Sequence, residues 1–179
     1  VLLGRSEGFA FELSASLGIT IGLGYATVPR LLARFRAKRI LMLSFALYST
    51  GAGALGTLVP SAPGLPQDGH NLGVAFAALA VMGFAISGVS LMPSVLVGQL
   101  IDEDAARSGA NRSALFLGVT RAFDKWAFGL SSALIAFLFA RFGNGAANPL
   151  GVQLVGPIAA AVAVFAAVVM SRFPEERVG

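Results

Sequence analysis

Three ionisable residues stand close together inside a long apolar stretch of the sequence: Arg121, Asp124 and Lys125. At ~100° per residue of an α-helix they fall within an arc of about 100°, and Arg121 with Asp124 is an i, i+3 pair. Counted from Ser113, Lys125 lies ~18 Å along the helix, near the middle of a ~30 Å hydrocarbon core. Charges at that depth are costly and commonly mark a pathway. We therefore expect this face to point toward the interior of a helix bundle and not toward lipid.

The charged face has two interpretations. In the functional one it forms the polar wall of a central cavity, where Lys125 binds a solute or responds to a coupling cation. In the structural one, Arg121, Asp124 and Lys125 are a buried network that only locks helices together. We favour the functional interpretation, because ionisable residues inside membrane spans usually serve a pathway. Glu12, near the outer end of the first apolar stretch, either has a simple interfacial position, which we favour, or lines the outer vestibule.

The residues Gly51, Gly53 and Gly56 fit G-x-G-x-x-G, the pattern of dinucleotide-binding sites. That site needs a strand before the glycines, a helix that opens at the phosphate, and an acidic residue about 20 positions later. Here the glycines lie inside an apolar helical stretch without strands around it. The pattern is therefore interpreted as a stripe of small residues for close helix packing. Gly18 and Gly22, four residues apart, are interpreted in the same way.

The sequence carries no recognisable enzyme or metal motif. It has no cysteine, and its one histidine, His70, has no partner ligands for a metal site. We find no G-x-S-x-G, no H-E-x-x-H and no phosphate-binding Walker sequence. We therefore expect no metal, no cofactor and no enzymatic activity.

The composition predicts the elements that position these residues. Hydrophobic residues make up 56% of the 179 residues and charged residues only 12%, against roughly 25% charged in soluble domains. A helix that spans the bilayer needs about 20 mostly apolar residues. Five stretches meet this length, which predicts an all-α integral membrane protein that lies in a lipid bilayer. The predicted spans are 9–28, 40–59, 72–101, 113–140 and 150–170.

The basic residues outside the spans indicate the orientation. With five spans, the connections alternate between the two sides of the membrane. One side holds Arg5 and Arg141 alone. The other side holds most of the basic residues and the C-terminus. The positive-inside rule makes it the cytoplasmic side of the plasma (bacterial inner) membrane. Because these residues lie at helix ends, we expect no nucleic-acid partner. The cytoplasmic residues are Arg30, Arg34, Arg36, Lys38, Arg39, Arg107, Arg112, Arg172 and Arg177.

The connection predicted at 102–112 is charged, whereas the one at 30–39 is only basic. We predict cytoplasmic salt bridges that hold one conformation, or alternatively a solvated loop. In the preceding span, Pro93 removes a backbone donor and should bend the helix, as a static kink or a gating hinge. The residues of the predicted cytoplasmic network are Asp102, Asp104, Arg107 and Arg112.

The stretch 91–126 resembles the helix 10–loop–helix 11 signature of the glycoside–pentoside–hexuronide:cation symporters, the family of melibiose permease within the major facilitator superfamily. That signature has an acidic D-x-x-D-type loop, then T-G-x-R, then a lysine in the middle of helix 11. The basic segment 30–39 is similar to the loop between helices 8 and 9, and the end of the chain to helix 12 and its tail. The residues that match the signature are Asp102, Asp104, Ser108, Gly109 and Lys125.

The resemblance implies that the five spans are helices 8–12 of a twelve-helix major facilitator fold, whose missing N-terminal half is a partner. It further implies alternating access around a midplane site, with sodium or a proton as the coupling cation. The sequence departs from the family at Gln99, usually aspartate, and at Asn111, usually arginine. Arg121 and Asp124 are additional charges, so the resemblance leaves the kind of solute open.

Three functional hypotheses follow. The first is a secondary transporter that couples a cation to the symport of a sugar or sugar-like small-molecule solute. The second is a transporter of the same fold for a non-sugar solute such as a lipid, steroid or drug. The third, from another class, is a membrane-embedded scaffold or enzyme. The charged face in the middle of a span favours the first two.

Overall fold

The computed structural model describes residues 7–56, 69–145 and 148–172, and these residues form an all-α structure. The expected all-α architecture is confirmed, and the helices contain most of each predicted span. The predicted loop 60–71 lies almost wholly outside the described residues. The five described helices are α1 (Glu7–Leu32), α2 (Ala37–Gly56), α3 (Gly69–Ser108), α4 (Ser113–Phe142) and α5 (Leu150–Ser171).

Four of the described helices are long and apolar enough to cross a membrane, namely α1, α3, α4 and α5. α2 is not among them. Its 20 described residues begin next to Lys38 and Arg39 and include several hydroxyl residues and glycines, which lower its mean hydropathy. α3 is the longest, at 40 residues. At ~1.5 Å per residue it measures about 60 Å, so its charged end extends beyond a ~30 Å hydrocarbon core unless the helix is strongly tilted.

Two of the connections are shorter than the sequence predicts. The basic segment 30–39 was expected to be a loop, but α1 continues to Leu32 and α2 begins at Ala37, so only 33–36 connect them. The segment 102–112 was also expected to be a loop, but 102–108 form the last turns of α3. Gly109, with φ of 66°, ends this helix and donates its N–H to the Ala105 carbonyl at 2.9 Å. The alanines and the i, i+4 charges here favour helix over loop.

The helices pack in the order α1, α3, α2, α5, α4. α3 packs along both α1 and α2, α2 packs along α5, and α5 contacts α4, which meets α3 over only a short region. An apolar cluster joins four of the helices: Val28 of α1, Ile40 of α2 and Met92 of α3 are buried in it, and Met170 of α5 packs against it. The middle of the bundle is therefore α2 and α3.

Glycines let these helix pairs approach closely. A Cβ atom at Gly51 of α2 would lie 2.5 Å from Met82 Cγ and 2.9 Å from the Ala78 carbonyl oxygen, both on α3. At the other side of α2, a Cβ atom at Gly156 of α5 would lie 2.5 Å from the Ala52 carbonyl oxygen. Real Cβ atoms do not approach that closely, so glycine is required where these helices cross.

The packing interpretation holds for part of the glycine pattern only. Gly51 and Gly56 lie at helix contacts, the latter against Pro157 of α5. At Gly53, Gly18 and Gly22 a Cβ atom would meet nothing within 4 Å. The expectation that these three glycines serve helix packing is therefore wrong for the described residues, because their faces of α2 and α1 have no neighbouring helix.

Polar contacts tie α2 to α5 at one end of their contact and near its middle. Lys38 Nζ donates a hydrogen bond to the Ser171 carbonyl at 3.2 Å, and Ser49 Oγ donates to the Ala160 carbonyl at the same distance. The first contact satisfies a carbonyl at the end of α5, which otherwise has no donor inside its helix. α2 and α5 therefore form a well-fixed pair, in contrast to α4.

Candidate functional site

α4 carries the charged face, and the described residues leave most of it uncovered. Its one buried residue is Leu138, near the end where it contacts α5. The side chains of Arg121 and Asp124 are 77% and 60% exposed, and Lys125 is exposed. The described chain therefore does not supply the interior position expected for this face. The reason is geometric, because α5 covers only the last turns of α4.

A cavity of about 260 Å³ lies where α3 and α4 meet. Its size is close to the lower limit of small-molecule pockets, about 300 Å³. It brings the region around Pro93 on α3 next to the charged face of α4, two features that are distant in the sequence. The cavity is lined by Val89, Ser90, Pro93, Ser94, Val97, Leu117, Thr120, Arg121 and Asp124.

The α3 wall offers polar groups in an apolar helix. Pro93 lies inside the helix and has no N–H, so it cannot donate to the carbonyl of Val89 one turn earlier. Ser90 and Ser94, four residues apart, lie on the same side of α3 and line the cavity with it. A proline and two serines together therefore give this wall both hydroxyl groups and a carbonyl that lacks its usual helical donor.

The α4 wall carries the charge. Arg121 Nη1 lies 3.5 Å from Asp124 Oδ2, so the predicted i, i+3 pair forms. Thr120 lines the cavity beside them and donates its hydroxyl to the Phe116 carbonyl at 2.9 Å, which leaves its oxygen free to accept. Lys125 does not line the cavity and pairs with no carboxylate of the described residues. The three charges are thus divided into a pair at the cavity and a lysine beside it.

This arrangement suits a solute with several hydroxyl groups. Arginine presents a fork of donors, and a carboxylate accepts from two hydroxyls at once. The serine and threonine hydroxyls can donate or accept, so the walls match groups of either kind. Val97 and Leu117 supply the apolar surface that most small-molecule sites contain.

The sequence predicts the charges of this site but not its hydroxyl groups. Ser90, Ser94 and Thr120 were not singled out, although each interrupts an apolar helix. A signal was present, because Ser90 and Ser94 flank Pro93 at a spacing that places them on one face. The sequence does not show, however, that this face of α3 meets Arg121 and Asp124 of α4.

The predicted cytoplasmic network takes a different form at the end of α3. Arg112 Nη1 lies 3.9 Å from Asp104 Oδ1, whereas Arg107 pairs with Glu103 of its own helix. Asp102 is exposed and pairs with no described residue. The Oδ2 atom of Asp104 is buried and has no hydrogen-bond partner among the described residues. Ion pairs as exposed as these stabilise a protein by at most about 1 kcal/mol.

Asn111, where the resemblance leads one to expect arginine, has a local role in the structure. Its Oδ1 atom accepts a hydrogen bond from the backbone N–H of Ser113 at 3.0 Å. Ser113 is the first residue of α4, whose first N–H groups have no partner inside the helix. Asparagine at this position therefore helps α4 begin, and Arg112 beside it reaches Asp104.

The family model described as MFS/sugar transport protein matches residues 4–173, nearly the whole chain. No curated protein and no solved structure matches the chain.

Proposed function

Because this chain belongs to the MFS/sugar transport protein family, we propose that it forms helices 8–12 of a twelve-helix, cation-coupled symporter for a sugar or sugar-like solute. The family and the apolar helices support an integral membrane protein of the sugar-transporter type, and they favour a transporter over an enzyme. Symport by alternating access, with sodium or a proton as the coupling cation and no other cofactor, is our proposal beyond this. Membership of the melibiose permease family in particular is likewise a proposal.

The observation that carries the proposal is the cavity between α3 and α4. Hydroxyl groups line one wall and an arginine–carboxylate pair lines the other, near the middle of α3 and in the first half of α4. A lipid-facing surface gains nothing from such groups, whereas a solute with hydroxyls can bond to all of them. In this proposal the cavity is one wall of the solute site.

The missing N-terminal half completes the site. The charged face of α4 is largely exposed, and Lys125 has no counter-charge among the described residues. We propose that the other half covers this face and that Lys125 binds the solute or responds to the coupling cation from there. In this proposal the protein lies in the plasma (bacterial inner) membrane. Its cytoplasmic side holds the C-terminus, Arg112 and the charged end of α3, which comprises Asp102, Glu103, Asp104 and Arg107.

The first experiment is an uptake assay with the full-length protein in proteoliposomes. Labelled sugars are offered with a sodium gradient, with a proton gradient, and without either. We expect at least one sugar to accumulate inside the proteoliposomes when one of the two gradients is present. If lipids, steroids or drugs are taken up in place of any sugar, the solute of the proposal is wrong and the second functional hypothesis replaces it. If uptake proceeds equally without a gradient, cation coupling is wrong.

The Arg121–Asp124 pair provides a second test. We expect Arg121→Gln and Asp124→Asn each to lower uptake by about tenfold or more, the change that ~1.4 kcal/mol of lost interaction produces. Uptake by the double variant should stay low, because the solute loses the charged guanidinium fork and the bidentate carboxylate together, and neutral amides replace them with weaker hydrogen bonds. Uptake at the wild-type rate in the double variant would instead show that the pair only locks helices.

A matched control for that test lies on the same helix. Ser131 does not line the cavity, and its hydroxyl bonds to the Phe128 carbonyl of its own helix at 2.9 Å. Ser131→Ala should leave uptake unchanged. Equal losses in the control and in Arg121→Gln would point to a general disturbance of α4, and not to contacts with the solute.

A further inference from the structure

Four exposed arginines near the ends of α1, α2 and α5 have no counter-charge among the described residues. They are Arg30, Arg34, Arg39 and Arg172, named here the basic surface. None of them forms a salt bridge with a described residue. The arginines that pair with carboxylates lie elsewhere: Arg107, Arg112 and Arg121.

The packing brings the basic surface to one end of the bundle. Leu31 of α1, Ile40 of α2 and Met170 of α5 belong to one apolar cluster, and each lies within two residues of an arginine of the basic surface. The hydrogen bond from Lys38 to the Ser171 carbonyl joins the beginning of α2 to the end of α5 directly. Four charges that are separated by up to 142 positions in the chain (30 to 172) therefore converge.

At this surface, the C-terminal ends of two helices already interact with basic side chains. Lys38 Nζ is bound to the Ser171 carbonyl at the end of α5, and Arg30 Nη1 donates to the Ala26 carbonyl of α1 at 3.0 Å. These contacts offset the negative ends of two helix dipoles. Arg34, Arg39 and Arg172 have no comparable side-chain contact among the described residues. Their donors are therefore open to solvent or to a ligand from outside the described residues.

Exposed apolar residues continue below the basic surface. Leu43 of α2 is 58% exposed, and Val169 of α5 is 54% exposed. Both lie within four residues of an arginine of the basic surface, and in a membrane protein they face acyl chains. The arginines thus lie where apolar helix surface ends, which is the depth of the lipid phosphate groups. Arginine matches phosphate geometry because its planar fork donates two parallel hydrogen bonds.

We propose that the basic surface binds the phosphate group of an anionic phospholipid whose acyl chains lie along Leu43 and Val169. The proposal depends on the location of the protein in a bilayer and not on the solute it transports. Phosphatidylglycerol is a suitable probe, because it carries one net negative charge. Phosphatidylcholine, which has the same phosphate but no net charge, should bind more weakly.

The test measures lipid affinity by native mass spectrometry of the full-length protein, titrated with phosphatidylglycerol or phosphatidylcholine in detergent. Because each arginine near a charged lipid contributes about fivefold in affinity, Arg34→Gln with Arg39→Gln should bind phosphatidylglycerol about 25-fold more weakly. The pair Arg34→Lys with Arg39→Lys should retain most of the affinity, because both positive charges remain. Arg141, an exposed arginine at the far end of α4, provides the control Arg141→Gln, which should bind as the wild type does.

Three outcomes would overturn the proposal. The first is equal affinity of the wild type for the two lipids. The second is unchanged binding in the glutamine variant. The third is displacement of phosphatidylglycerol by inorganic phosphate at the same concentration, which would identify a site for a soluble anion instead.

Discussion

Replacing Lys125 with alanine is expected to lower gradient-driven uptake by about a hundredfold in the full-length protein. Lys125 lies twelve residues after Ser113, the first residue of α4, which places it ~18 Å along that helix. A charge near the middle of a bilayer costs about 3 kcal/mol or more, so an uncompensated lysine there needs a partner in the complete protein. Loss of an interaction of that size corresponds to about two orders of magnitude. Initial uptake rates in proteoliposomes measure the effect.

Trp126 is the matched control for Lys125. It is the next residue at nearly the same depth, but its side chain is uncharged and points ~100° away from that of Lys125. Trp126→Ala should leave uptake within about twofold of the wild type. Lys125→Arg, which keeps the charge, should be impaired less than Lys125→Ala. Normal uptake in Lys125→Ala would reduce the lysine to a structural charge and remove it from the proposed site.

Replacing Gly51 with valine is expected to destabilise the protein by about 1–3 kcal/mol, the usual cost of overpacking. A Cβ atom at this position would lie 2.9 Å from the Ala78 carbonyl oxygen, a backbone atom that cannot move without shifting α3. The crossing of α2 and α3 would have to open, and the neighbouring contacts would be lost. Thermal unfolding of the detergent-solubilised full-length protein should show the lower midpoint.

Gly53 is the internal control for that experiment, because it belongs to the same G-x-G-x-x-G pattern and a Cβ atom there would meet nothing within 4 Å. Gly53→Val should change the midpoint by much less than Gly51→Val. Dinucleotide binding would instead make both glycines necessary for binding, with little effect on unfolding. Equal destabilisation by the two substitutions would show that Gly53 also lies at a helix contact in the complete protein.

The charges of α4 illustrate how far a sequence can predict a site. The position of Lys125 in the apolar stretch and the pairing of Arg121 with Asp124 depend only on the local geometry of one helix, and that pair forms as expected. The salt bridges at the end of α3 were less predictable. Arg107 pairs with Glu103 because 102–108 are helical, and this continuation of the helix was not apparent from their charged composition.

The sequence by itself determined that this protein lies in a lipid bilayer, and it predicted the five helices that the described residues form. Length and hydropathy are properties of single segments, so the long apolar stretches alone predict helices in lipid. Only the tertiary structure decided that Gly51 lies in a helix contact and Gly53 does not, and that Ser90 and Ser94 share a cavity with Arg121. The physical reason is that an apolar helix in lipid has no strong preference for which face meets a neighbour. That choice depends on the crossing of helices that are distant in the sequence.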